Sequence, residues 1–390
     1  MTEALPPVRL LTDEIPKGPW IFGRQVESKD LPPDGSLVEV HDRSGRFFGH
    51  GLYNGASDIR VRILARGKRS ELRNPREFLG RRLAAADRIR KRVLRLPEVA
   101  DTYRVAHAEG DDLPGLVVDR LGDVLVCEHH ARGFWNLRAE VESALGDLYP
   151  GLAVVHRVPK TAAKSEGFEP GETTPDLGDR WIREHGLEYP VRPGHGHKTG
   201  WFCDQRDNRV LVASLAKGVD VLDLCCNAGG FALQAARAGA RKVVGVDLDE
   251  VVVERARAAA ARNGLRAEFV HADAFDALRS AKADREKPGL LVLDPHKIVK
   301  SKANLEAGLK SYSDLNTLAL EVVRPGGIVA TFSCSGVLDL PTFLGMVFQA
   351  ARRAGRDLRL LSTLGAGPDH PQRPDFSRSR YLKGALLAVD

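Results

Sequence analysis

The chain lacks both of the usual phosphate-binding signatures of α/β enzymes. Its 390 residues contain neither a G-x-G-x-x-G fingerprint nor a Walker lysine. Each of these motifs binds phosphates with backbone amides at the start of a helix. Their absence excludes a dehydrogenase that binds its dinucleotide in the usual way, and it favours a nucleoside cofactor without phosphates.

Other absences narrow the cellular setting. No apolar run approaches the roughly 20 residues that a membrane helix needs, and Met1–Ala4 lack the basic and apolar regions of a signal peptide. The five cysteines, two of them adjacent, give neither a disulfide framework nor a C-x-x-C metal site. We therefore expect a protein of a reducing cytoplasm, with no membrane partner and no metal centre.

Positive charge is concentrated in one part of the chain. The net charge is only +6, but Arg60–Arg95 holds 14 Lys and Arg against 3 Asp and Glu. A block with so large an excess of one charge, beside a nearly neutral remainder, indicates a segment that contacts a polyanion such as a nucleic acid. The alternative is the solvated face of a helix, because apolar residues recur there at helical spacing: Leu79, Leu83, Ala86, Ile89 and Val93.

The order of the predicted elements indicates three domains. Short strands separated by glycine turns predict a small β-rich domain over residues 1–72. A central α+β module over 73–190 has a basic helix at about Pro75–Leu94, a second helix at about Gly133–Leu148 and a polar loop at Lys160–Thr174. From 191 to 390 strands and helices alternate, which is typical of a Rossmann-like α/β fold. The amino-terminal strands are Ser36–His41, Phe47–Tyr53 and Ile59–Leu64, and Leu358–Leu364 with Leu382–Val389 predicts a closing hairpin at the sheet edge.

A strand, a small-residue turn and a helix follow one another from Val219 to Ala236. The turn is Cys225-Cys226-Asn227-Ala228-Gly229-Gly230, whose glycines let a ligand approach the backbone closely. A second apolar run ends on Asp247, about 20 residues past the turn, where an acid is placed to bind a ribose diol. We predict S-adenosylmethionine as the cofactor, with Asn227, Gly229, Asp247 and Leu248 among its contacts.

Five successive strands of the predicted sheet end in a reactive or hydrogen-bonding residue: Asp223, Asp247, Asp273, Asp294 and Cys334. Because the carboxyl ends of parallel strands share one face, we expect these groups to form one site. Asp247 suits the ribose hydroxyls, Asp273 with Ala274 suits the adenine amine, and Asp223 suits the amino group of the cofactor. Each aspartate taken singly is also a candidate helix N-cap.

Cys334 lies in a turn between two serines and a glycine, Phe332-Ser333-Cys334-Ser335-Gly336. A thiolate near a methyl donor suits C5 methylation of a pyrimidine, because that carbon is too weakly nucleophilic to take the methyl group unaided. Sulfur added at C6 pushes electrons onto C5, and a base later removes the C5 proton so that the thiol can leave. Asp294 would hold the N3/N4 edge of the cytosine. The alternative is a buried, inert thiol.

These motifs resemble those of the RlmI-like methyltransferases, which use S-adenosylmethionine to make 5-methylcytosine in large-subunit ribosomal RNA. The resemblance covers nearly the whole chain. It implies a PUA domain, a central module and a methyltransferase domain, with Cys334 as the nucleophile and with Phe202 and Gln205 leading into the cofactor pocket. We further expect Arg206, His296 and Lys297 to contact the substrate. The matching segments are His197–Arg209, Leu222–Phe231, Phe332–Gly336, Glu109–Gly115, Asp369-His370-Pro371 and Tyr381-Leu382-Lys383.

One position departs from the family pattern. The family usually has Asp-Pro-Pro after the fourth strand, whereas this chain has Asp294-Pro295-His296. Losing the second proline removes a φ restraint from the loop that frames the base. His296 is then either the base that takes the C5 proton or a tolerated loop residue.

The sequence thus predicts an RNA cytosine-C5 methyltransferase that acts on large-subunit ribosomal RNA. Two alternatives stay open. One is methylation of another atom, such as guanine N7, which has its own lone pair and needs no thiol. The other is a non-catalytic RNA-binding assembly protein. The oligomeric state is also open, a homodimer included.

Overall fold

A computed structural model describes residues 5–14, 16–67, 72, 74–171, 176–196, 198–285, 287–299 and 301–390. The chain divides into two units. The first comprises Met1–Arg180, Arg192–Phe202 and Pro368–Ser379, and the second comprises Trp181–Val191, Cys203–Gly367 and Arg380–Asp390. The three-domain boundaries at 72 and 190 stay a prediction. Among the described residues, no helix combines the length and the apolar character needed to cross a membrane.

Five strands at the amino terminus are β1 (Pro7–Arg9), β2 (Trp20–Phe22), β3 (Leu37–His41), β4 (Phe47–Tyr53) and β5 (Ile59–Arg66). They form one sheet in the order β1-β3-β4-β5-β2. Its core contains alternate residues of the strands, such as the fully buried Val38, Val40 and Val61. The three predicted strands are therefore present. The strands β1 and β2 are only three residues long, too short for a sequence pattern to reveal.

The basic helix forms, but its last turn changes pitch. Helix α1 (Pro75–Arg88) continues into a π-helical turn, Ile89–Val93. A π turn holds more residues than an α turn and so rotates the side chains that follow. Ile89 and Val93, predicted on the apolar face, are consequently exposed by 39% and 71%. Arg90 is buried in their place and donates two hydrogen bonds of 2.7 Å to Asp111.

The remainder of the first unit is an α+β module with two corrections to the sequence prediction. The predicted helix Gly133–Leu148 is broken at Leu137 into two helices. The predicted loop Lys160–Thr174 is wrong at its start, where a helix forms, and residues 172–175 lie outside the described residues. The elements are α2 (Leu96–Val99), β6 (Thr102–His107), β7 (Leu116–Leu121), β8 (Val124–His129), α3 (Arg132–Asn136), α4 (Arg138–Leu148), β9 (Ala153–Arg157) and α5 (Lys160–Glu166), with the strands in the order β6-β7-β8-β9.

Helix α5 is held by the last of its residues, which no local pattern could reveal. Glu166 is 1% exposed. Its carboxylate accepts hydrogen bonds of 2.8 Å from both Arg62 and Ser57, and of 2.9 Å and 3.1 Å from Asn54 and the Arg132 amide. Burial raises the pKa of Glu166, but the Arg62 charge and these hydrogen bonds outweigh burial and lower the pKa. The carboxylate therefore joins α5 to β5 within the first unit.

We predict that Glu166→Ala lowers the free energy of unfolding by about 3–5 kcal/mol, because it leaves the buried Arg62 guanidinium without its counter-ion. Chemical denaturation at pH 7 measures this. Glu169→Ala, at an exposed position three residues on, is the matched control and should change stability by less than about 0.5 kcal/mol. Because the pKa of Glu166 is lowered in the folded state, its contribution is present at neutral pH and is lost as the pH falls through that pKa. Equal stabilities of the two variants would contradict the assignment.

The second unit contains a seven-stranded sheet preceded by the hairpin β10 (Arg180–Glu184) and β11 (Leu187–Val191). The seven strands are β12 (Asp220–Leu224), β13 (Lys242–Asp247), β14 (Glu268–His271), β15 (Leu290–Leu293), β16 (Gly327–Ser333), β17 (Leu358–Leu364) and β18 (Lys383–Val389). Their order is β14-β13-β12-β15-β16-β18-β17. Strands β12 to β16 are parallel, and β18 is antiparallel to both of its neighbours. This confirms the predicted α/β fold and the closing hairpin.

Helices connect the parallel strands, as the alternating sequence pattern predicts. They are α7 (Gly230–Arg237), α8 (Glu250–Arg262), α9 (Ala274–Ala283) and α10 (Leu305–Val322), while α6 (Arg206–Ala213) precedes β12 and α11 (Leu340–Arg353) leads from β16 to β17. Their apolar residues share a core with the strands, for example Leu315 of α10 with Leu291 and Val329. The carboxyl ends of β12 to β16 consequently lie along one edge of the sheet, where ligands bind in this class of fold.

Candidate active site

The turn after β12 uses backbone conformations that few residues adopt. Cys225, Asn227 and Gly229 have positive φ angles of 60°, 49° and 80°. At Gly229 an added Cβ would lie 2.9 Å from the ring of Phe269, so the position needs glycine. The chain thus turns from β12 into α7 within a few residues, as a cofactor-binding turn of this fold does.

Asp247, at the end of β13, connects this turn by hydrogen bonds to the loop that follows β13. Its carboxylate accepts hydrogen bonds from the Asn227 amide at 2.8 Å and from the Asp249 amide at 3.0 Å. Beside it, the side chains of Leu248 and Val251 are 65% and 59% exposed. An acceptor next to exposed apolar surface is the combination that a ribose with an attached base requires.

Asp273 occupies the position after β14 and caps helix α9. Its carboxylate accepts hydrogen bonds from the amides of Phe275 and Asp276, at 2.8 Å and 3.4 Å. The capping role weighed in the sequence analysis is therefore real for this residue. Both bonds use the same oxygen, Oδ1. A contact of Asp273 or the half-buried Ala274 with adenine stays a prediction.

Asp223 lies deeper than the other acids. It is fully buried, and its Oδ2 accepts a hydrogen bond from the Ala232 amide at 2.9 Å, while Oδ1 has no hydrogen-bond partner among the described residues. Burial, followed by the charges of Asp294 and Asp247, raises the pKa of Asp223 to about 8. The residue fixes the start of α7, and a contact with the cofactor's amino group stays a prediction.

The structure brings the four strand-end acids together around the cofactor turn. Burial raises the pKa of the Cys225 thiol, and the charges of Asp247, Asp294, Asp223 and Asp273 raise it further. Asp223, with a pKa of about 8, is largely protonated at neutral pH, so the negative charge of the site comes from the other three carboxyl groups. S-adenosylmethionine carries a sulfonium and an ammonium group, so this negative site and the curled glycine turn fit that cofactor.

Asp294, after β15, is held by a residue that the sequence assigned elsewhere. The Gln205 side chain donates a hydrogen bond from Nε2 to Asp294 at 2.9 Å, and its Oε1 accepts one from Asn208 at 2.6 Å. Asn208 also donates to the Gly365 carbonyl at 2.9 Å. Gln205 thus positions Asp294, and its predicted contact with the cofactor stays untested. Sequence reasoning missed Asn208, although it lies inside the quoted motif His197–Arg209.

The remaining predicted site residues differ in their exposure and in the unit to which they belong. His296 and Lys297 are exposed in the loop after β15, as substrate contacts should be. Arg206 is fully buried, with Nε 3.0 Å from Asp207, so it lies beneath the surface and its contact with substrate stays a prediction. Phe202 belongs to the first unit, where the Lys198 ammonium lies 4.6 Å from its ring centroid. His197 lies outside the described residues.

Cys334 follows β16 in a turn that is fixed on both sides. The Ser333 hydroxyl donates to the Tyr312 hydroxyl at 3.0 Å, and the Ser335 hydroxyl lies 3.3 Å from the same atom. Both serines are fully buried, whereas Cys334 is partly exposed. Cys334 is therefore not fully buried, and its turn lies at the carboxyl edge of the sheet. The alternative of a buried, inert thiol stays a prediction.

Comparisons with known proteins identify the domains and the family. A PUA-like domain model matches residues 17–66 and a methyltransferase domain model matches residues 221–286. The ribosomal RNA large subunit methyltransferase I of Aeromonas salmonicida is 35% identical over 379 residues, covering 95% of this chain and 94% of its own. The protein of that name from Pseudoalteromonas atlantica is 36% identical over 380 residues, covering 95% of each chain.

A solved structure supports the fold. The crystal structure of SMU.776 complexed with SAH superposes with a TM-score of 0.83 at 18% identity, covering 99% of this chain and 100% of that one. Fold and sequence together define an S-adenosylmethionine-dependent methyltransferase with an amino-terminal PUA-like domain. More narrowly, the chain belongs to the family of ribosomal RNA large subunit methyltransferase I. The predicted family and cofactor are confirmed.

We predict that Asp223→Asn removes part of the pH dependence of stability. The folded-state pKa of about 8 lies above the ordinary value of 3.8, so between these values the folded chain binds more protons than the unfolded chain. Stability therefore falls as the pH rises through this window, by at most about 1.4 kcal/mol per pH unit from this group. Denaturation of the cofactor-free protein at pH 5, 6.5 and 8 should show a shallower slope in the variant. An unchanged slope would show that Asp223 titrates normally.

Proposed function

We propose that this chain methylates C5 of a cytosine in large-subunit ribosomal RNA, with Cys334 as the nucleophile. One observation carries the proposal. Strand β15 pairs with β12 on one side and with β16 on the other, so the end of β15 lies between the cofactor turn and the Cys334 turn. Strands β12 and β16 are two strand spacings apart, about 10 Å, which is enough for a pyrimidine ring over Asp294 between a thiolate and a methyl donor.

The roles of the residues follow from this placement. The Cys334 thiolate adds to C6, and the electrons of the C5–C6 double bond move to C5. S-adenosylmethionine supplies the methyl group that C5 takes. Asp294, held by Gln205, accepts a hydrogen bond from the N4 amine of the cytosine and so orients the ring for attack at C6. Loss of the C5 proton to a base then restores the double bond and releases the sulfur.

Cofactor and RNA contacts complete the proposal. Asp247 would bind the ribose hydroxyls, Asp273 and Ala274 the adenine, and the backbone at Asn227 and Gly229 the remainder of the cofactor. The PUA-like segment 17–66 and the basic helix α1 would bind the RNA outside the catalytic unit. The names of the relatives, which specify the large ribosomal subunit, support this choice of substrate.

We predict that Cys334→Ala lowers the rate of methyl transfer to ribosomal RNA by at least about a thousandfold, because C5 then lacks its nucleophilic catalyst. Transfer of labelled methyl groups to rRNA that lacks the modification measures this. Cys127→Ala, in β8 of the first unit, is the control that removes a thiol outside the site. If Cys334→Ala keeps its activity, the target is an atom that needs no thiol, such as guanine N7. If the wild-type chain transfers no methyl group to any rRNA, it is a non-catalytic binding protein.

A substrate analogue tests the covalent step directly. With 5-fluorocytidine in the RNA, C5 carries fluorine, no proton can leave, and the sulfur stays bonded to C6. We expect the wild-type chain with S-adenosylmethionine to form a complex that survives denaturing electrophoresis. Cys334→Ser, which keeps the shape of the side chain, should form none. Absence of a complex with the wild-type chain, together with normal methylation of ordinary RNA, would refute the adduct.

We predict that Asp247→Ala weakens binding of S-adenosylmethionine by about 10- to 100-fold, the loss expected for hydrogen bonds to a charged acceptor. Titration calorimetry measures the affinity. Asp220→Ala is the matched control. Asp220 lies at the start of β12, at the other end of the strand from the cofactor turn, and its carboxylate pairs with Arg241 at 2.6 Å. The control should bind normally. An unaltered affinity in Asp247→Ala would remove Asp247 from the cofactor site.

A further inference from the structure

Lys383 is a buried cation beside the Cys334 turn. It begins β18, which pairs antiparallel with β16 so that Lys383 lies opposite Ser333. Its side-chain nitrogen donates hydrogen bonds of 2.7 Å to the Ser335 carbonyl and of 2.7 Å to the Tyr381 carbonyl. Lys383 is 4% exposed. Its charge is therefore fixed next to the residues that flank Cys334.

A lysine in this position is electrostatically costly unless a negative charge lies nearby. Burial lowers the pKa of Lys383 to about 8, and the charge of Lys297 lowers it as well, whereas the charges of Cys334 and Asp339 raise it. Carbonyl groups bear only partial charges, so the two hydrogen bonds compensate the burial in part. A neutral side-chain amide, which has two donor hydrogens, would satisfy both carbonyls at lower cost. The cation needs another explanation.

We propose that Lys383 is a positioning residue that holds the Cys334 sulfur as a thiolate next to its ammonium group. When the lysine is neutral, the thiol proton passes to the amine. When the lysine is already protonated, the thiol proton passes to water. Either way the pair becomes thiolate and ammonium, and the sulfur electron pair is free to form the bond to C6. The consequence for methyl transfer rests on the function proposed above, whereas the ion pair itself does not.

The other charged and titratable groups near the pair come from three more segments. Lys297 lies in the loop after β15, Asp339 precedes α11, and the Tyr312 hydroxyl comes from α10. Asp339 accepts a hydrogen bond from the Thr342 amide at 2.9 Å and is thereby held at the start of its helix. We therefore pair the Lys383 ammonium with the Cys334 thiolate, which is also the group that attacks C6 in the proposed function.

Alkylation of Cys334 tests the proposal without RNA or cofactor. The full chain is treated with iodoacetamide between pH 6 and 9.5, and the Cys334 peptide is quantified by mass spectrometry. In Lys383→Gln, which keeps hydrogen-bond donors but loses the charge, alkylation at pH 7 should be at least about tenfold slower and its profile displaced to higher pH. Lys383→Arg should restore the rate to within about threefold. Lys282→Gln, at the exposed partner of Glu321, is the matched control and should behave as wild type.

Two results would overturn the proposal. One is a wild-type alkylation profile in Lys383→Gln, and the other is an equal loss of rate in Lys383→Gln and Lys383→Arg, which a purely structural role would give. If thermal denaturation shows that the glutamine variant does not fold, Lys383→Met, of similar length, provides the same comparison. With ribosomal RNA as substrate, Lys383→Gln should lower kcat and leave KM unchanged, with recovery at higher pH. If Lys383→Gln slows the alkylation of Cys334 as expected, but Cys334→Ala still methylates RNA at the wild-type rate, the proposed function alone is refuted.

Discussion

The neighbourhood of β12, β15 and β16 is the constraint on which the candidate site depends. Parallel strands can be joined only by crossovers, so residues about 40 to 70 positions apart in the chain come to adjacent strand ends. Asp294 follows Leu293, which pairs with Leu224 before the cofactor turn and with Thr331 shortly before Cys334. A different strand order would separate the thiol from the turn even if every motif were intact. The proposed chemistry therefore depends on the strand order of the sheet as well as on the individual side chains.

Charge is distributed unequally along this edge. On the β12 and β13 side, burial and the neighbouring carboxyl groups raise the pKa of Asp223 and of Cys225. Beside the Cys334 turn, burial and the charge of Lys297 lower the pKa of Lys383. In the proposed function, a cationic cofactor is stabilised at the first end and an anionic sulfur at the second. A thiol among the carboxyl groups of the first end would keep its proton, so the position of the proposed nucleophile after β16 is electrostatically reasonable.

The sequence predicted what depends on local pattern and left out what depends on distant contacts. Apolar runs located β12, β13 and β15, and the spacing from the glycine turn to Asp247 located the cofactor side. Helix α5 was missed because its stability comes from Glu166 meeting Arg62, about a hundred residues earlier. The π turn at Ile89–Val93 was missed because the periodicity of α1 continues through it without a break.

The same limit applied within the site. Gln205 could be recognised as part of a motif, but its bond to Asp294 is visible only in the folded chain. Lys383 is the first residue of the apolar strand β18, and nothing in its sequence neighbours suggests a thiol partner. Both residues act through another group, and such roles leave no spacing rule in a single sequence. Asp273 shows the converse, because its capping of α9 follows directly from its position.

The loop from Asp294 to Val299, which contains His296 where the resemblance leads us to expect a second proline, is fixed at both of its ends. Asp294 is fixed by Gln205 at one end of the loop. At the other end Val299 is fully buried, and its amide donates to the Ser335 hydroxyl at 3.2 Å. A proline would restrict φ at position 296, but two anchors five residues apart already restrict the path between them. His296 and Lys297 are the exposed residues of this short span, which is held at both ends, so Asp294 and the Cys334 turn keep their places whichever way these two side chains point.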